Sequence, residues 1–394
     1  MDILIEFYHK NILDNMISVL SLKPDVLMIY FDPERYSHTD VYDIYLACQK
    51  YIPHLRLETG TYPSADFKKI DEKLNAYVSG QPKDSLTIDL TGGNELTAVA
   101  SYRCALLGSI RLVYSSVQHS RVCNLFEPEK KYGCHYFELA DIIEADGGRI
   151  VSASDSETLN KEKRHLMNLT RVILENVPLW SSTCSYFQKN SISNRVNHQL
   201  HFEGKIELWP KNHRRVPDER MLQAFSKEQF IRHLYIKGDR VSFDYKNREA
   251  MGYISSFGVW LELRTYFAMA QSQQFHDVLT GVKIDWNRND GNDIVGNEID
   301  VMALYGCVPV VISCKMSEHA TDADAVNELY TVSRRVSKGH VIRVLVTYSD
   351  IKAQRSGIYL KALEMGIIVM DKDDIMHPAF SKRLERAICQ SIQK

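Results

Sequence analysis

Acidic side chains and a lysine occur at fixed spacing in the stretch GNEIDVMALYGCVPVVISCK, residues 296–315. Two apolar segments with a Tyr-Gly pair between them predict two strands joined by a tight turn. Residues two apart share one face of a strand, so Glu298 and Asp300 point the same way. Ser313 and Lys315 do so on the second strand. A hairpin would therefore bring both pairs of side chains to one pocket.

An upstream segment adds a further acidic side chain to this set. Glu262 lies in GVWLEL, within a stretch near 253–272 whose apolar spacing predicts a helix. With Glu298 and Asp300 it offers carboxylate oxygens, the ligands that Mg²⁺ and Mn²⁺ prefer. Lys315 could neutralise charge on a phosphorus centre or hold a hydroxide nucleophile. These residues predict a metal site that acts on a phosphate group, and an edge hairpin with solvent-facing charges is the structural alternative.

A glycine-rich turn, DLTGGNEL at residues 89–96, joins a buried type of strand to a helix. Its glycines let the backbone approach a ligand closely or take a positive φ. The first turn of the helix offers unpaired N–H groups, which suit an anion. The predicted ligand-binding residues of this turn are Thr91, Gly92, Gly93 and Asn94. A tight turn that binds nothing is the alternative interpretation.

The turn after the first strand is expected to open at the same edge of the sheet, where ligands of such folds bind. It contributes Tyr8, His9, Lys10 and Asn11 to the predicted ligand site. The spacing of the glycine-rich turn fits neither the GxGxxG fingerprint nor a P-loop. An ordinary dinucleotide or nucleoside triphosphate site is therefore not supported, whereas another phosphate-bearing ligand is.

The elements that must position these residues alternate between strand and helix over the first 115 residues. This alternation predicts an α/β fold with an N-terminal Rossmann-like parallel sheet, extended by an antiparallel hairpin at 121–139. The chain then becomes polar and linker-like, and residues 218–245 indicate helices, a Lys-Gly-Asp turn and a strand. We predict three parts: an N-terminal α/β domain at 1–150, a helical or winged-helix-like connector at 151–245, and a C-terminal α/β domain at 246–394.

Composition narrows the class of protein. A net charge of -2 gives no global basic field for nucleic acid, so such a partner would have to meet a local basic surface. Eight irregularly spaced cysteines are typical of reduced thiols in a cytosolic chain rather than of a disulfide framework. Neither a membrane span nor a signal peptide is expected, so a cytoplasmic location is predicted.

The pattern of acidic residues and lysine resembles that of the PD-(D/E)xK nuclease superfamily. This resemblance implies that the C-terminal domain of this chain is restriction-endonuclease-like. Carried over residue by residue, the resemblance makes Glu262 the helix acid, Asp300 the first strand acid and Lys315 the lysine. Cys314 would lend only its backbone carbonyl to the metal, alongside Glu262 and Asp300. The departure is Ser313, which stands where the superfamily has Glu or Asp, and Glu298 is the residue expected to compensate. The catalytic set on this interpretation is Glu262, Glu298, Asp300, Ser313 and Lys315.

The combination of the two sites resembles the CRISPR ancillary nucleases with an N-terminal CRISPR-associated Rossmann fold (CARF) domain. This resemblance implies a homodimer with one cyclic oligoadenylate, cyclic tetraadenylate above all, on its two-fold axis as the allosteric activator. It further implies Mn²⁺- or Mg²⁺-dependent cutting of DNA, RNA or both in type III CRISPR antiviral defence. Base contacts are expected on loops such as 287–297.

Two alternatives remain open from the sequence. In one, the nuclease fold has lost catalysis and only binds nucleic acid or a partner, which the serine at position 313 keeps possible. In the other, Tyr8, His9 and Lys10 let the first domain degrade its own cyclic ligand. Neither the ring size of the ligand nor the preferred nucleic acid follows from the residues.

Overall fold

The structure is a computed structural model that describes residues 1–134, 137–154, 156–196, 200–207, 216–287, 296–354 and 356–392. Most of the loop on which base contacts are expected, residues 288–295, lies outside this range. No helix in the described part of the chain is long and apolar enough to cross a membrane.

A seven-stranded sheet forms the N-terminal part, in the order β3-β2-β1-β4-β5-β6-β7. Its strands are β1 (Ile3–Phe7), β2 (Val26–Phe31), β3 (Arg56–Thr61), β4 (Leu86–Asp89), β5 (Arg111–Ser116), β6 (Arg121–Asn124) and β7 (Lys131–Gly133). The pairs from β3 to β5 are parallel, and β6 and β7 add an antiparallel hairpin. The predicted Rossmann-like sheet and its hairpin are therefore confirmed.

Helices cover both faces of this sheet, because the buried strands ILIEF and VLMIYF leave no face for solvent. They are α1 (Leu13–Leu22), α2 (His38–Gln49), α3 (Phe67–Ser79), α4 (Glu95–Gly108) and α5 (Leu139–Ala145). The strand order reverses between β1 and β4, which creates a topological switch point. The two turns predicted to bind a ligand follow these two strands, so both lie at that point.

The connector combines helices with a small antiparallel sheet of order β10-β11-β9. Its elements are α6 (Ser156–Glu175), α7 (Val177–Val196), β9 (His201–Lys205), α8 (Glu219–Lys227), β10 (Ile231–Lys237), β11 (Arg240–Tyr245) and α9 (Arg248–Ser255). Its core is aromatic, with Trp180, Phe187, Phe225, Phe243 and Trp260 all buried. The predicted Lys-Gly-Asp turn joins β10 to β11, whereas the sequence analysis missed β9, a short strand with weak alternation.

A six-stranded sheet of order β16-β15-β14-β13-β12-β8 forms the C-terminal part. Its elements are β8 (Arg149–Ser152), α10 (Val259–Ala270), β12 (Phe275–Asp285), β13 (Gly296–Tyr305), β14 (Val308–Lys315), α11 (Ala323–Ser333), β15 (Ile342–Thr347), α12 (Gly357–Glu364), β16 (Ile367–Met370), α13 (Lys372–Met376) and α14 (Phe380–Ile392). The antiparallel meander β12-β13-β14 followed by the parallel strands β15 and β16 agrees with the predicted restriction-endonuclease-like domain.

The helix predicted near 253–272 is two helices, α9 and α10. The helix is interrupted at Ser256–Gly258, where the Phe257 carbonyl accepts a hydrogen bond from the indole Nε1 of Trp180 at 3.2 Å. This contact with the connector lies 77 positions away in the sequence, so periodicity could not reveal it. The break makes Glu262 a first-turn residue of α10.

Candidate functional site

The hairpin of β13 and β14 fixes the position of Asp300. The register pairs Val301 with Ile312, as the apolar pattern predicts. One carboxylate oxygen of Asp300 accepts the backbone N–H of Cys314 at 2.6 Å. The same oxygen accepts the Ser313 hydroxyl at 3.4 Å. Asp300 is therefore tied to the neighbouring strand within two residues of the lysine.

A cavity of about 240 Å³ opens beside this hairpin. Its lining residues are Glu298, Ile299, Asp300, Val311, Ile312, Ser313, Lys315, Glu328, Leu329 and Val332. Four predicted site residues thus share one pocket, as strand parity requires. The Lys315 side chain is 23% exposed, so its ammonium group is accessible at the pocket wall.

Glu262 approaches this region from α10, and its carboxyl group interacts electrostatically with the acids and the lysine of the hairpin. Burial first, and then the charges of Asp300 and Glu298, raise the pKa of Glu262 to about 8, while Lys315 acts in the opposite direction. Burial also raises the pKa of Asp300, against the hydrogen bond from Cys314 and the charge of Lys315. Partly buried, mutually repelling carboxyl groups are what a bound cation would stabilise.

The pocket offers few side chains to a metal ion. Among the described residues, no group of three His, Cys, Asp or Glu side chains lies close enough together to hold a metal. Glu262 and Asp300 still provide the hard oxygen ligands that Mg²⁺ or Mn²⁺ takes, and such ions keep several water ligands. The Cys314 thiol contacts the Thr265 hydroxyl at 3.6 Å towards α10, which leaves Cys314 only backbone atoms for the site. The residues therefore fit a weakly held hard cation.

Glu298 lies at the open rim of the pocket. It is exposed, and its carboxylate lies 3.8 Å from Lys283 on the adjacent strand β12. Its charge acts on both Glu262 and Asp300. Its location matches the shared face predicted from strand parity, and its compensating role stays a prediction.

The N-terminal glycine-rich turn is built differently from the predicted phosphate cradle. A Cβ atom on Gly92 would lie 1.9 Å from the Phe7 carbonyl oxygen. Gly93 has a φ of +79°, and a Cβ there would lie 2.2 Å from the Thr97 hydroxyl. The glycines are therefore required because the turn after β4 packs directly on the end of β1, before any ligand is considered.

The polar side chains of this turn are already engaged in the fold. The Thr91 hydroxyl donates to Asp89 at 2.5 Å and accepts the backbone N–H of Ser115 at 2.7 Å. Asn94 caps α4 by accepting the N–H of Thr97 at 3.1 Å, and its amide donates to the Ser64 carbonyl at 2.8 Å. Both residues therefore shape the mouth of the helix rather than present free groups to a ligand.

The four residues after β1 take different places. Tyr8 is buried and its ring packs on Tyr36 with centroids 4.6 Å apart, which corrects the expectation that it reaches a ligand. His9 is held by Asp14 at 2.8 Å. Lys10 is exposed and has no hydrogen bond or ion pair with any described residue. Of the predicted set, Lys10 is the side chain most available to a phosphate.

Comparison with known proteins gives a match for the C-terminal part. Residues 249–381 match the family model of the Card1-like endonuclease domain. This part of the chain is therefore similar to an endonuclease domain. The matched range contains Glu262, Asp300 and Lys315, so the pocket described above lies within it. The prediction of a nuclease domain is confirmed, and the assignment to the PD-(D/E)xK superfamily stays a prediction.

The whole chain also shares its fold with solved structures. Can2 from Sulfobacillus thermosulfidooxidans, in complex with cyclic tetra-adenylate, has a TM-score of 0.67 and 15% identity over 100% of this chain and 98% of that chain. Protein VC1899 from Vibrio cholerae has a TM-score of 0.77 and 13% identity over 99% and 98%. A type III CRISPR defence DNA nuclease activated by cyclic oligoadenylate has a TM-score of 0.51 and 12% identity, over 88% of this chain and 45% of its own.

At 12–15% identity, these TM-scores show a common fold. No curated protein matches the sequence. The predicted architecture, a CARF-like sheet followed by an endonuclease domain, is therefore confirmed at the level of fold.

The endonuclease domain touches the predicted ligand turn directly. The Asp14 carboxylate on α1 binds His9 with one oxygen and His340 of the endonuclease domain with the other, at 2.8 and 3.0 Å. The Asn11 side-chain oxygen is buried, has no hydrogen-bond partner among the described residues and lies beside Gly339. Sequence analysis missed this bridge, since Asp14 and His340 are 326 positions apart.

A second missed contact holds the same segment. The backbone N–H of Ser337 donates to Asp146 at 2.5 Å, and Lys338 lies 3.8 Å from that carboxylate. Burial raises the pKa of Asp146 to about 7 in spite of this lysine. Residues 337–339 all have positive φ, so the segment is held in an unusual conformation against the N-terminal part.

The endonuclease pocket also contains an acidic residue that the sequence analysis missed. Glu328 on α11 lines the cavity, and its carboxylate lies 3.8 Å from the Lys315 ammonium group. Its position between Asn327 and Leu329 on an amphipathic helix carries no separate sequence signal. Only the packing of α11 against β14 brings it to the lysine.

Proposed function

We propose that this protein is a metal-dependent nuclease that acts in type III CRISPR antiviral defence and is activated by a cyclic oligoadenylate, cyclic tetraadenylate. Its substrate would be DNA, RNA or both. The observation that carries the proposal is the convergence of Asp300, Lys315 and Glu262 in a Card1-like endonuclease domain. The whole-chain likeness in fold to Can2, which was solved with cyclic tetra-adenylate, supports the proposed ligand.

The residues of the pocket divide the chemistry between them. Glu262, Asp300 and the Cys314 carbonyl would hold Mn²⁺ or Mg²⁺, which supplies Lewis acidity and an activated water when bound. Lys315, at the wall of the same pocket, neutralises charge that develops on the phosphate oxygens. Ser313 keeps Asp300 in place through its hydroxyl contact at 3.4 Å but adds no negative charge.

The sensor part would bind its ligand at the switch point between β1 and β4. Lys10 offers a free ammonium group there, and the start of α4 offers unpaired N–H groups. A cyclic ligand with internal symmetry fits a two-fold interface, so the active species would be a homodimer.

Apolar side chains exposed on α4 and the neighbouring sheet edge support this dimer. They are Val99, Tyr102, Leu106, Leu107 and Phe126, which are between 41% and 74% exposed. Such a contiguous apolar surface is typical of an interaction site. Light scattering at micromolar concentration is expected to give the mass of a dimer with and without ligand, and a monomer in both states would contradict the proposal.

Direct contact between ligand turn and endonuclease domain supports allosteric activation. The chain from His9 through Asp14 to His340 links the turn after β1 to the segment between α11 and β15. A ligand that moves His9 or Lys10 would change the restraint on His340. Because α11 also borders the pocket of Lys315, such a change would reach the site of chemistry.

Two alternative functions fare differently. A protein that binds nucleic acid without cutting it is the second candidate. Position 313 lacks a carboxylate, and no three-acid group occurs among the described residues. Degradation of the cyclic ligand by the sensor part has less support, since Tyr8 is buried and His9 is held by Asp14.

A nuclease assay with the full-length protein tests the proposal. Labelled single-stranded DNA, RNA and duplex DNA are incubated with Mn²⁺, with and without cyclic tetraadenylate, and the ligand is followed as well. Cutting that requires the ligand is expected. Asp300→Ala and Lys315→Ala should each reduce it about 100-fold or more while ligand affinity stays unchanged. The exposed control Asp373→Ala should cut normally.

The outcomes separate the candidates. Ligand binding without cutting would favour the binding protein, and loss of the ligand would favour its degradation. Normal cutting by both Asp300→Ala and Lys315→Ala would show that this pocket is not the active site.

A further inference from the structure

The pocket of the endonuclease domain has an acidic wall on the side where Ser313 faces. On β14 the Cys314 thiol turns towards α10, where it contacts Thr265. The neighbouring residues Ser313 and Lys315 line the cavity that α11 covers. A carboxylate at position 313 would therefore have pointed into the space between β14 and α11.

Glu328 occupies the opposite wall of that space. It lines the same cavity as Asp300, Ser313 and Lys315, and it forms an ion pair with Lys315 at 3.8 Å. Its neighbours on α11 are fixed, since Leu329 is buried and lines the cavity as well. The backbone of α11 is thus anchored beside the lysine.

The freedom of the Glu328 side chain matters as much as its place. It is 67% exposed, so the desolvation cost of its carboxylate is small and the side chain can turn between Lys315 and the cavity. Glu298, the residue expected from the sequence to compensate for Ser313, lies at the rim and pairs with Lys283 instead. An exposed ion pair of this length stabilises the fold very little, so stability alone does not account for the pairing of Glu328 with Lys315.

We propose that Glu328 is a functional residue of the endonuclease site and supplies, from helix α11, the carboxylate that Ser313 lacks on strand β14. In this role it orients the Lys315 ammonium group and adds negative charge to the cavity that Asp300 lines. The inference rests on the proposed function, since it assigns Glu328 to the same metal-dependent cutting site.

The chemical reason is the count of negative charges at a hard cation. Two carboxylates and a hydroxyl hold Mg²⁺ or Mn²⁺ less tightly than three carboxylates, because a neutral oxygen contributes less attraction. A carboxylate near the lysine also keeps its ammonium group charged and directed into the pocket. Moving the acid from strand to helix retains part of both effects, because the two positions face the same cavity while the Glu328 carboxylate is also paired with Lys315.

The test compares four full-length variants: Glu328→Gln, Ser313→Glu, the combination of both, and the exposed control Glu364→Gln. Cutting of labelled nucleic acid with ligand present and the affinity for Mn²⁺, measured by calorimetry without substrate, are determined for each. Glu328→Gln should lower both cutting and Mn²⁺ affinity by about 10–100-fold, the usual effect of losing a residue that supports metal ligands. Adding Ser313→Glu to Glu328→Gln should restore most of both, and Glu364→Gln should change neither.

Each outcome decides between the inference and its alternatives. Unchanged cutting and Mn²⁺ affinity in Glu328→Gln would overturn the inference. So would a loss that Ser313→Glu does not restore, because Glu328 would then not stand in for that carboxylate. Asp300→Ala distinguishes failure of the proposed active site from failure of the Glu328 inference. If Asp300→Ala cuts normally, the proposed active site itself is wrong. If Asp300→Ala is inactive while Glu328→Gln behaves as the unmodified protein, only the role of Glu328 fails.

Discussion

Ser313 sets the metal preference expected at the scale of single residues. Its hydroxyl contacts Asp300 but brings no charge to a region in which the partly buried carboxyl groups of Glu262 and Asp300 already have raised pKa values. Mn²⁺ binds the same ligands more tightly than Mg²⁺ does and is less strict about octahedral geometry. Cutting should therefore be faster with Mn²⁺, and Ser313→Glu should raise the rate with Mg²⁺ in particular. Equal rates with the two ions in the unmodified protein would contradict this argument.

Glu262 gives a prediction about pH and stability without metal. Its pKa rises from 4.5 in the unfolded chain to about 8 in the fold, so the folded state favours the protonated carboxyl. The fold keeps this advantage below pH 4.5 and loses it as the pH rises through about 8. Glu262→Gln, which cannot ionise, should raise the melting temperature in EDTA at pH 9 and leave it nearly unchanged at pH 5.

The expected shift at pH 9 is about 2–4 °C for each kcal/mol of penalty removed. Thermal melts followed by circular dichroism measure it. Equal shifts at both pH values would mean that the substitution acts through packing and not through the charge of Glu262.

At the scale of elements, the ends of β1 and β4 depend on each other. Gly92 packs on the Phe7 carbonyl so closely that any side chain must displace backbone. Gly92→Ala should therefore lower the melting temperature as well as the ligand affinity. Lys10→Ala should weaken ligand binding by about 1–3 kcal/mol and leave the melting temperature unchanged, since Lys10 is exposed and forms no hydrogen bond or ion pair with the described residues.

Calorimetry with cyclic tetraadenylate and thermal melts of both variants check this contrast. A Gly92→Ala protein that melts normally but binds no ligand would instead support a direct phosphate contact at the glycine. Unchanged affinity in both variants would remove these turns from the ligand site.

At the scale of the whole molecule, the Asp14 bridge joins the two functional parts. The Asp14 side chain is 10% exposed, and the hydrogen bonds from His340 and His9 lower its pKa in spite of its burial. His340→Ala removes one of these partners and frees the segment that leads into α11 and β15. Ligand-stimulated cutting should fall about 5-fold or more, within the usual range of coupling free energies, while ligand affinity changes little.

His54→Ala is the matched control, because His54 also lies near a carboxylate, that of Asp25 at 3.6 Å, but on the exposed surface of the N-terminal part. Dose–response curves of cutting against cyclic tetraadenylate compare the two variants. The same ratio of stimulated to basal cutting in His340→Ala and in the unmodified protein would show that coupling runs by another route.

The sequence by itself determined the elements and the residues that share a strand or a turn. Burial of the apolar runs dictated β1, β2, β13 and β14, and the two-residue period placed Glu298 with Asp300 and Ser313 with Lys315. The alternation of strand and helix fixed the parallel sheet, and with it the common edge of the two N-terminal turns. These features follow from sequence because each depends on neighbours within one element or one turn.

Only the tertiary structure decided which elements meet. It brought Glu328 from α11 to the lysine on β14, set His340 on Asp14, and showed that Gly92 packs against Phe7. The tertiary structure also buries Tyr8 in the core, although the position of Tyr8 in a turn predicted a ligand contact. No periodicity encodes these contacts, because they depend on how helices and sheets pack across long separations in the chain. In another packing arrangement the same residues would not meet.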